Sequence, residues 1–166
     1  KEGYHNLMKL VSLGWIEGFY YKPRIDKELL RKYSKGLIAT SACLAGEVPQ
    51  YILLNDLEKA EKIILEYKEI FADDFYLEMQ RHYTIDPSAD KEVFQKQQLV
   101  NKQLIKLSGK YNVKLIATND VHFVNKEDAE AHDILICLNT QSDIDDLKRM
   151  RYTKQEWFKT TAEMNQ

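Results

Sequence analysis

The chain has 166 residues, 44% of them hydrophobic and 30% charged, with a formal net charge of −2. That length supports one domain with a sizeable core, and the charge balance argues against a whole-surface nucleic-acid binder. No apolar run is long enough to cross a bilayer, and two cysteines without zinc-like spacing, Cys43 and Cys137, favour a reducing cytoplasm over a disulfide framework.

Tyr4, Leu7, Met8 and Val11 recur at helical spacing almost from Lys1, which is not a methionine. The far end, Ala162 to Gln166, stays helix-favouring without a stop signal, so the chain reads as a piece of a longer polypeptide. Gly14, Gly18 and Pro23 interrupt the periodicity, and the aromatic stretch Phe19-Tyr20-Tyr21 predicts a structured loop. Lys22, Arg24, Lys27, Arg31, Lys32 and Lys35 make this region locally basic, a pattern equally expected of a solvated face.

Asp26 predicts the cap of a short helix through Tyr33, stopped by Ser34-Lys35-Gly36 before the buried strand Leu37-Ile38-Ala39-Thr40. From Asp56, apolar residues at three- and four-residue intervals predict an amphipathic helix closing near Ala72. Phe75 to Gln80 alternates as a second strand, and a helix closed by Ser108-Gly109 follows a polar loop. Val113 to Thr118 is the third strand, continuing into Asn119-Asp120-Val121-His122; Lys126-Glu127-Asp128 then opens another helix. Strand-helix units in succession imply a parallel sheet, either open or closed as a barrel.

The carboxyl ends of these strands carry the chemistry. If alternation persists through Asp120 and His122, both point to one face and can grip one metal ion; the competing reading is a capping aspartate beside a packed histidine. The first strand ends in Ser41-Ala42-Cys43, where a thiol is either a ligand or a small buried hydrophobe. The second holds Glu78 and runs into His82; Glu78 lies either on a half-solvated face or turned inward as a site carboxylate. His5 and His132 fall within helical segments and read as packing or surface residues, and Cys137 as core.

Four strings in order, Glu17 to Arg24, Gly36 to Glu47, Ala117 to Phe123 and Asp128 to Asp133, resemble the polymerase and histidinol phosphatase (PHP) domain of the bacterial replicative DNA polymerase III alpha subunit. Arg149-Met150-Arg151-Tyr152 and Ala162-Glu163-Met164 resemble that domain's tail. The resemblance covers nearly the whole chain. It implies a partial, truncated distorted β/α barrel of the PHP type, with parallel strands near 37–41, 75–80 and 113–119 alternating with helices. Residues 1–166 would form a single-domain fragment, the C-terminal two-thirds of a PHP domain, without the polymerase domains.

On that resemblance Cys43, Asp120 and His122 fall on metal-ligand positions, with Asp120 and His122 catalytic; the strand ends alone place Glu78 and His82 near the site. The family's earlier ligands belong to sequence this chain lacks, and no such role passes to His5. The implied activity is metal-dependent phosphoester hydrolysis, such as 3′-5′ exonuclease proofreading, in a cytoplasmic DNA-directed DNA polymerase, the isolated fragment being inactive. Divalent zinc, manganese or iron would be the cofactor, and DNA and other replicative holoenzyme subunits the partners, with no membrane. The alternatives are a non-catalytic scaffold of the polymerase and a free-standing PHP-type phosphatase.

Overall fold

The computed structural model describes residues 1–165. Seven α-helices and three strands are found among them: α1 (Glu2–Ile16), α2 (Lys27–Tyr33), β1 (Ala39–Thr40), α3 (Glu47–Leu53), α4 (Leu57–Phe71), β2 (Phe75–Met79), α5 (Glu92–Tyr111), β3 (Lys114–Ala117), α6 (Ala129–Thr140) and α7 (Thr161–Met164). The strands form one parallel sheet in chain order, β1-β2-β3, with Thr40 opposite Tyr76 and Glu78 opposite Ile116. The parallel α/β arrangement is the one expected from the repeated units, and among the described residues the sheet is open.

Local chemistry sets the element ends. Asp26 Oδ1 accepts from the Leu29 amide at 2.8 Å and Asp56 Oδ1 from the Lys59 amide at 3.1 Å, satisfying donors that a helix start leaves free. α5 runs past Ser108-Gly109 and ends at Asn112, which takes the left-handed conformation with φ 51°. The Ser108 hydroxyl donates to the Val113 carbonyl at 2.6 Å, so the serine ties the turn into β3 instead of ending the helix. α3 had no counterpart among the predicted elements: its Pro49 and seven-residue length mask the helical period.

Phe75 and Leu77 point from β2 into a core built with Val48 and Ile52 of α3, Ala60, Ile63, Ile64 and Phe71 of α4, and Val100, Leu104 and Leu107 of α5. Burying such side chains stabilises by roughly 1.5–3 kcal/mol each. The connecting helices therefore share one face of the sheet. The opposite face carries Tyr76 and Glu78 and is open at Ile38 and Ile116, which are 70% and 38% exposed.

α1 buries Leu10 but leaves Tyr4, Leu7, Met8 and Val11 largely exposed. It docks through glycine instead: a Cβ on Gly3 would stand 1.8 Å from the Gly36 carbonyl oxygen, and Gly36 itself has φ +75°.

Candidate metal and phosphoester site

The carboxyl end of the sheet is organised around Glu78. Its Oε2 accepts from the Thr40 hydroxyl at 2.5 Å, and its Oε1 accepts from the Thr118 hydroxyl and from Gln80 Nε2 at 2.9 Å. One carboxylate thus joins the ends of all three strands. Burial alone would raise its pKa, but the donors Thr118, Thr40 and Gln80 outweigh it and hold the carboxyl below its ordinary value. The Ser41 hydroxyl accepts from the Glu78 amide at 2.9 Å, fixing the start of the loop that carries Cys43.

That loop is tightly folded. Ala42 has φ 61°, and the Gly46 amide donates to the Cys43 carbonyl at 2.8 Å. A Cβ on Gly46 would meet the Ser41 carbonyl oxygen at 2.1 Å, so only glycine permits this approach.

β3 ends at Ala117, so Asp120 and His122 lie in the following loop, not on the strand. Asp120 takes φ 45°, a left-handed conformation that breaks two-residue alternation. The loop is held by the chain's tail. Asn119 Nδ2 donates to the carbonyls of Gln155 and Trp157, each at 2.7 Å, and the His122 amide donates to the Glu156 carbonyl at 2.8 Å. His122 Nδ1 lies 2.6 Å from the Asp120 carbonyl oxygen, to which it donates. Nε2 faces the Tyr152 hydroxyl at 3.4 Å.

Cys43, Asp120 and His122 line one cavity of about 870 Å³, together with Gln80, Tyr152 and Glu156. A thiol, a carboxylate and an imidazole are a donor set that zinc, manganese and iron accept. Among the described residues, no group of three or more His, Cys, Asp or Glu side chains is close enough to hold a metal ion. Cys43, Asp120 and His122 thus share a cavity without closing on one point.

Glu78 stands below this rim as the strand-joining carboxylate. His82 also lines the cavity, but it is only 3% exposed and both ring nitrogens are engaged, Nδ1 with Gln97 Nε2 at 3.1 Å and Nε2 with the Asn119 carbonyl at 3.1 Å. Burial pushes its pKa down against the pull of Glu156, so it braces the Asn119 loop as a neutral ring.

Several neighbours were not anticipated. The His132 ring lies 5.8 Å from that of His122 and 5.0 Å from that of Tyr152, and burial, then the charge of His122, lowers its pKa. Glu156 is 3% exposed; its Oε1 accepts from the amide and hydroxyl of Thr153 at 3.0 and 2.5 Å. Burial, then the charges of Asp120, Glu156 and Cys43, raises the Tyr152 pKa. The only signal in the sequence for this tail was Arg149-Met150-Arg151-Tyr152, because residues 141–160 have no periodicity to place them.

Residues 1–82, which include Cys43, Glu78 and His82, match the family model of the PHP domain. Over those residues the chain is similar to the PHP family. Across 163 residues, 98% of its length, it is 47% identical to DNA polymerase III subunit alpha of Borreliella burgdorferi, covering 13% of that protein. It is 42% identical over 161 residues to the Thermus aquaticus subunit and 46% identical over 146 residues to the Aquifex aeolicus subunit, covering 97% and 88% of this chain and 12% of each relative. The PHP sequence is thus of the type found in these alpha subunits. No helix among the described residues is long and apolar enough to cross a membrane.

Proposed function

We propose that this chain is part of a bacterial replicative DNA-directed DNA polymerase, a DNA polymerase III alpha subunit, and that its sheet is one arc of a distorted PHP-type β/α barrel. Residues 1–166 make up the C-terminal two-thirds of that domain. Its surroundings are DNA, the other holoenzyme subunits and the cytoplasm. Alignment of nearly the whole chain with named alpha subunits supports this reading.

Within that protein, Cys43, Asp120 and His122 contribute to a centre that hydrolyses phosphoesters, acting as a 3′-5′ exonuclease. The observation that carries the reading is their presence around one cavity at the carboxyl end of a parallel sheet, where loops from different strands meet. Bound divalent ions supply such a centre with polarisation of the phosphodiester and acidification of a water. Asp120 and His122 are the groups that touch the reacting centre. The Asp120 backbone orients the imidazole through Nδ1, and Gln80 and the Glu78 network hold the strand ends in register. The 166-residue piece, with its partial donor set, has no hydrolytic activity alone.

A non-catalytic scaffold is the second reading, favoured by the separation of the three donors. A free-standing phosphatase is less well supported, because the relatives are far longer proteins. The full-length protein and its Asp120→Asn variant distinguish these readings by elemental analysis and by nucleotide release from a primer end. The expected result is loss of metal and of nuclease with polymerisation retained. Unchanged nuclease in the variant overturns the assigned site, and a metal-free, nuclease-free wild type establishes the scaffold.

A further inference from the structure

A second cavity, of about 600 Å³, lies on the other side of Gln80, which lines both. Its wall carries three cationic side chains, Arg81, Lys126 and Lys159, and one carboxylate, Glu163. That carboxylate is already committed: Glu163 Oε2 accepts from the amide and hydroxyl of Thr160 at 2.8 and 2.7 Å. None of the three cations has a carboxylate within ion-pair distance among the described residues, whereas Lys27, Lys96, Lys110 and Lys154 do.

Lys159 is half-buried and donates to Asn119 Oδ1 at 3.2 Å. Burial pushes its pKa down and outweighs the pull of Glu156 and Glu163, and the neighbouring charge of Lys126 adds to the fall. An anion in the cavity opposes that shift, because it favours the charged ammonium.

The same cavity has aromatic walls. Lys159 Nζ stands 5.4 Å from the centre of the Trp157 ring, whose indole N–H is shut off from solvent without an acceptor. Tyr83 lines the cavity too and is 59% exposed. Cations to neutralise a phosphate beside rings that offer a π-face are the two parts that single-stranded nucleic-acid sites combine.

We infer that this cavity binds a nucleotide unit, with Arg81, Lys126 and Lys159 facing its phosphate and Tyr83 and Trp157 its base. The inference does not depend on metal-assisted hydrolysis next door, so its test is run in chelator, where that reading makes no contribution.

The full-length protein is photocrosslinked to a short oligothymidylate carrying 4-thiothymidine, digested with trypsin and mapped by mass spectrometry, with affinity followed against salt. Crosslinks are expected in the peptide of residues 155–159. In Arg81→Gln/Lys126→Gln, where both altered side chains are exposed and the fold is checked by its thermal transition, yield falls and the salt slope decreases by about one for each cation removed. Lys159→Arg, which keeps the charge, retains the crosslink. Competition by thymidine 5′-monophosphate assigns the site to free nucleotides, and competition by unlabelled strand alone assigns it to a strand; either upholds it. Absence of crosslinks in 155–159, an undiminished yield in the double variant, or equal competition by an oligoglutamate peptide overturns it.

Discussion

Asp133 and Arg149 meet through two parallel contacts, Nη1 to Oδ1 and Nη2 to Oδ2, both at 2.6 Å, with side chains 11% and 4% exposed. This fork joins α6 to the irregular segment that delivers Tyr152 to the cavity wall. Two well-aligned charge-assisted bonds offset the desolvation of both ions only while both partners remain.

Asp133→Asn is therefore expected to destabilise the protein by about 3–5 kcal/mol, the cost of leaving a buried guanidinium without its anion. Chemical denaturation at neutral pH measures it, and a change below about 0.5 kcal/mol rejects the pairing as a structural element.

Acid should act through the same pair. The Arg149 hydrogen bonds hold the Asp133 carboxyl below its ordinary value of 3.8, so the folded state binds fewer protons than the unfolded state between the two values. The resulting stability is full above pH 3.8 and is lost as pH falls through the folded value. The acid limb of the stability curve is expected to flatten in Asp133→Asn; an unchanged limb contradicts this assignment.

Glu78→Gln should behave in the same sense from its ordinary value of 4.5 downward, since its folded pKa is also lowered. At neutral pH the loss is about 1 kcal/mol, reduced from the usual range for charged hydrogen bonds because the site is partly solvated. Denaturant midpoints at neutral and acid pH measure it. Equal destabilisation at both removes the carboxylate's charge from the account.

Gly46→Ala tests the loop that presents Cys43. The added methyl must displace the Ser41 carbonyl, which costs about 1–3 kcal/mol as an overpacked contact. In the full-length protein, metal content is expected to fall with it, while Gly109→Ala, where a methyl meets nothing within 4 Å, leaves metal unchanged. Equal metal in wild type and Gly46→Ala separates the loop from the site.

Leu104→Ala removes a fully buried side chain from the centre of the core and should cost about 2–5 kcal/mol. Thermal unfolding of the full-length protein measures it, and a smaller loss shows that α5 does not anchor the sheet.

How much could be read in advance follows from which forces are local. The cap Asp26, the apolar period of α4 and the alternation of β2 depend on neighbours within a few residues, and they emerged as expected. α3 and the end of α5 did not, because a proline at a first turn and a serine tied to the next strand carry the same letters as breakers. At the cavity, the residue types were legible and their geometry was not. Strand alternation fails at Asp120, where the tail segment Gln155 to Trp157 holds the backbone in a left-handed conformation.

The sequence by itself determined the alternation of strands and helices, the start of α2 and α4, and the presence of a thiol after the first strand and of a carboxylate and an imidazole after the third. Only the tertiary structure decided that Glu78 ties the strand ends together, that His82 is locked as a brace, and that His132, Tyr152 and Glu156 surround the Asp120 loop. The physical reason is range: helix and strand formation follow a few adjacent side chains, whereas the cavity is made by hydrogen bonds between segments more than thirty residues apart, such as Asn119 to Gln155 with a separation of 36.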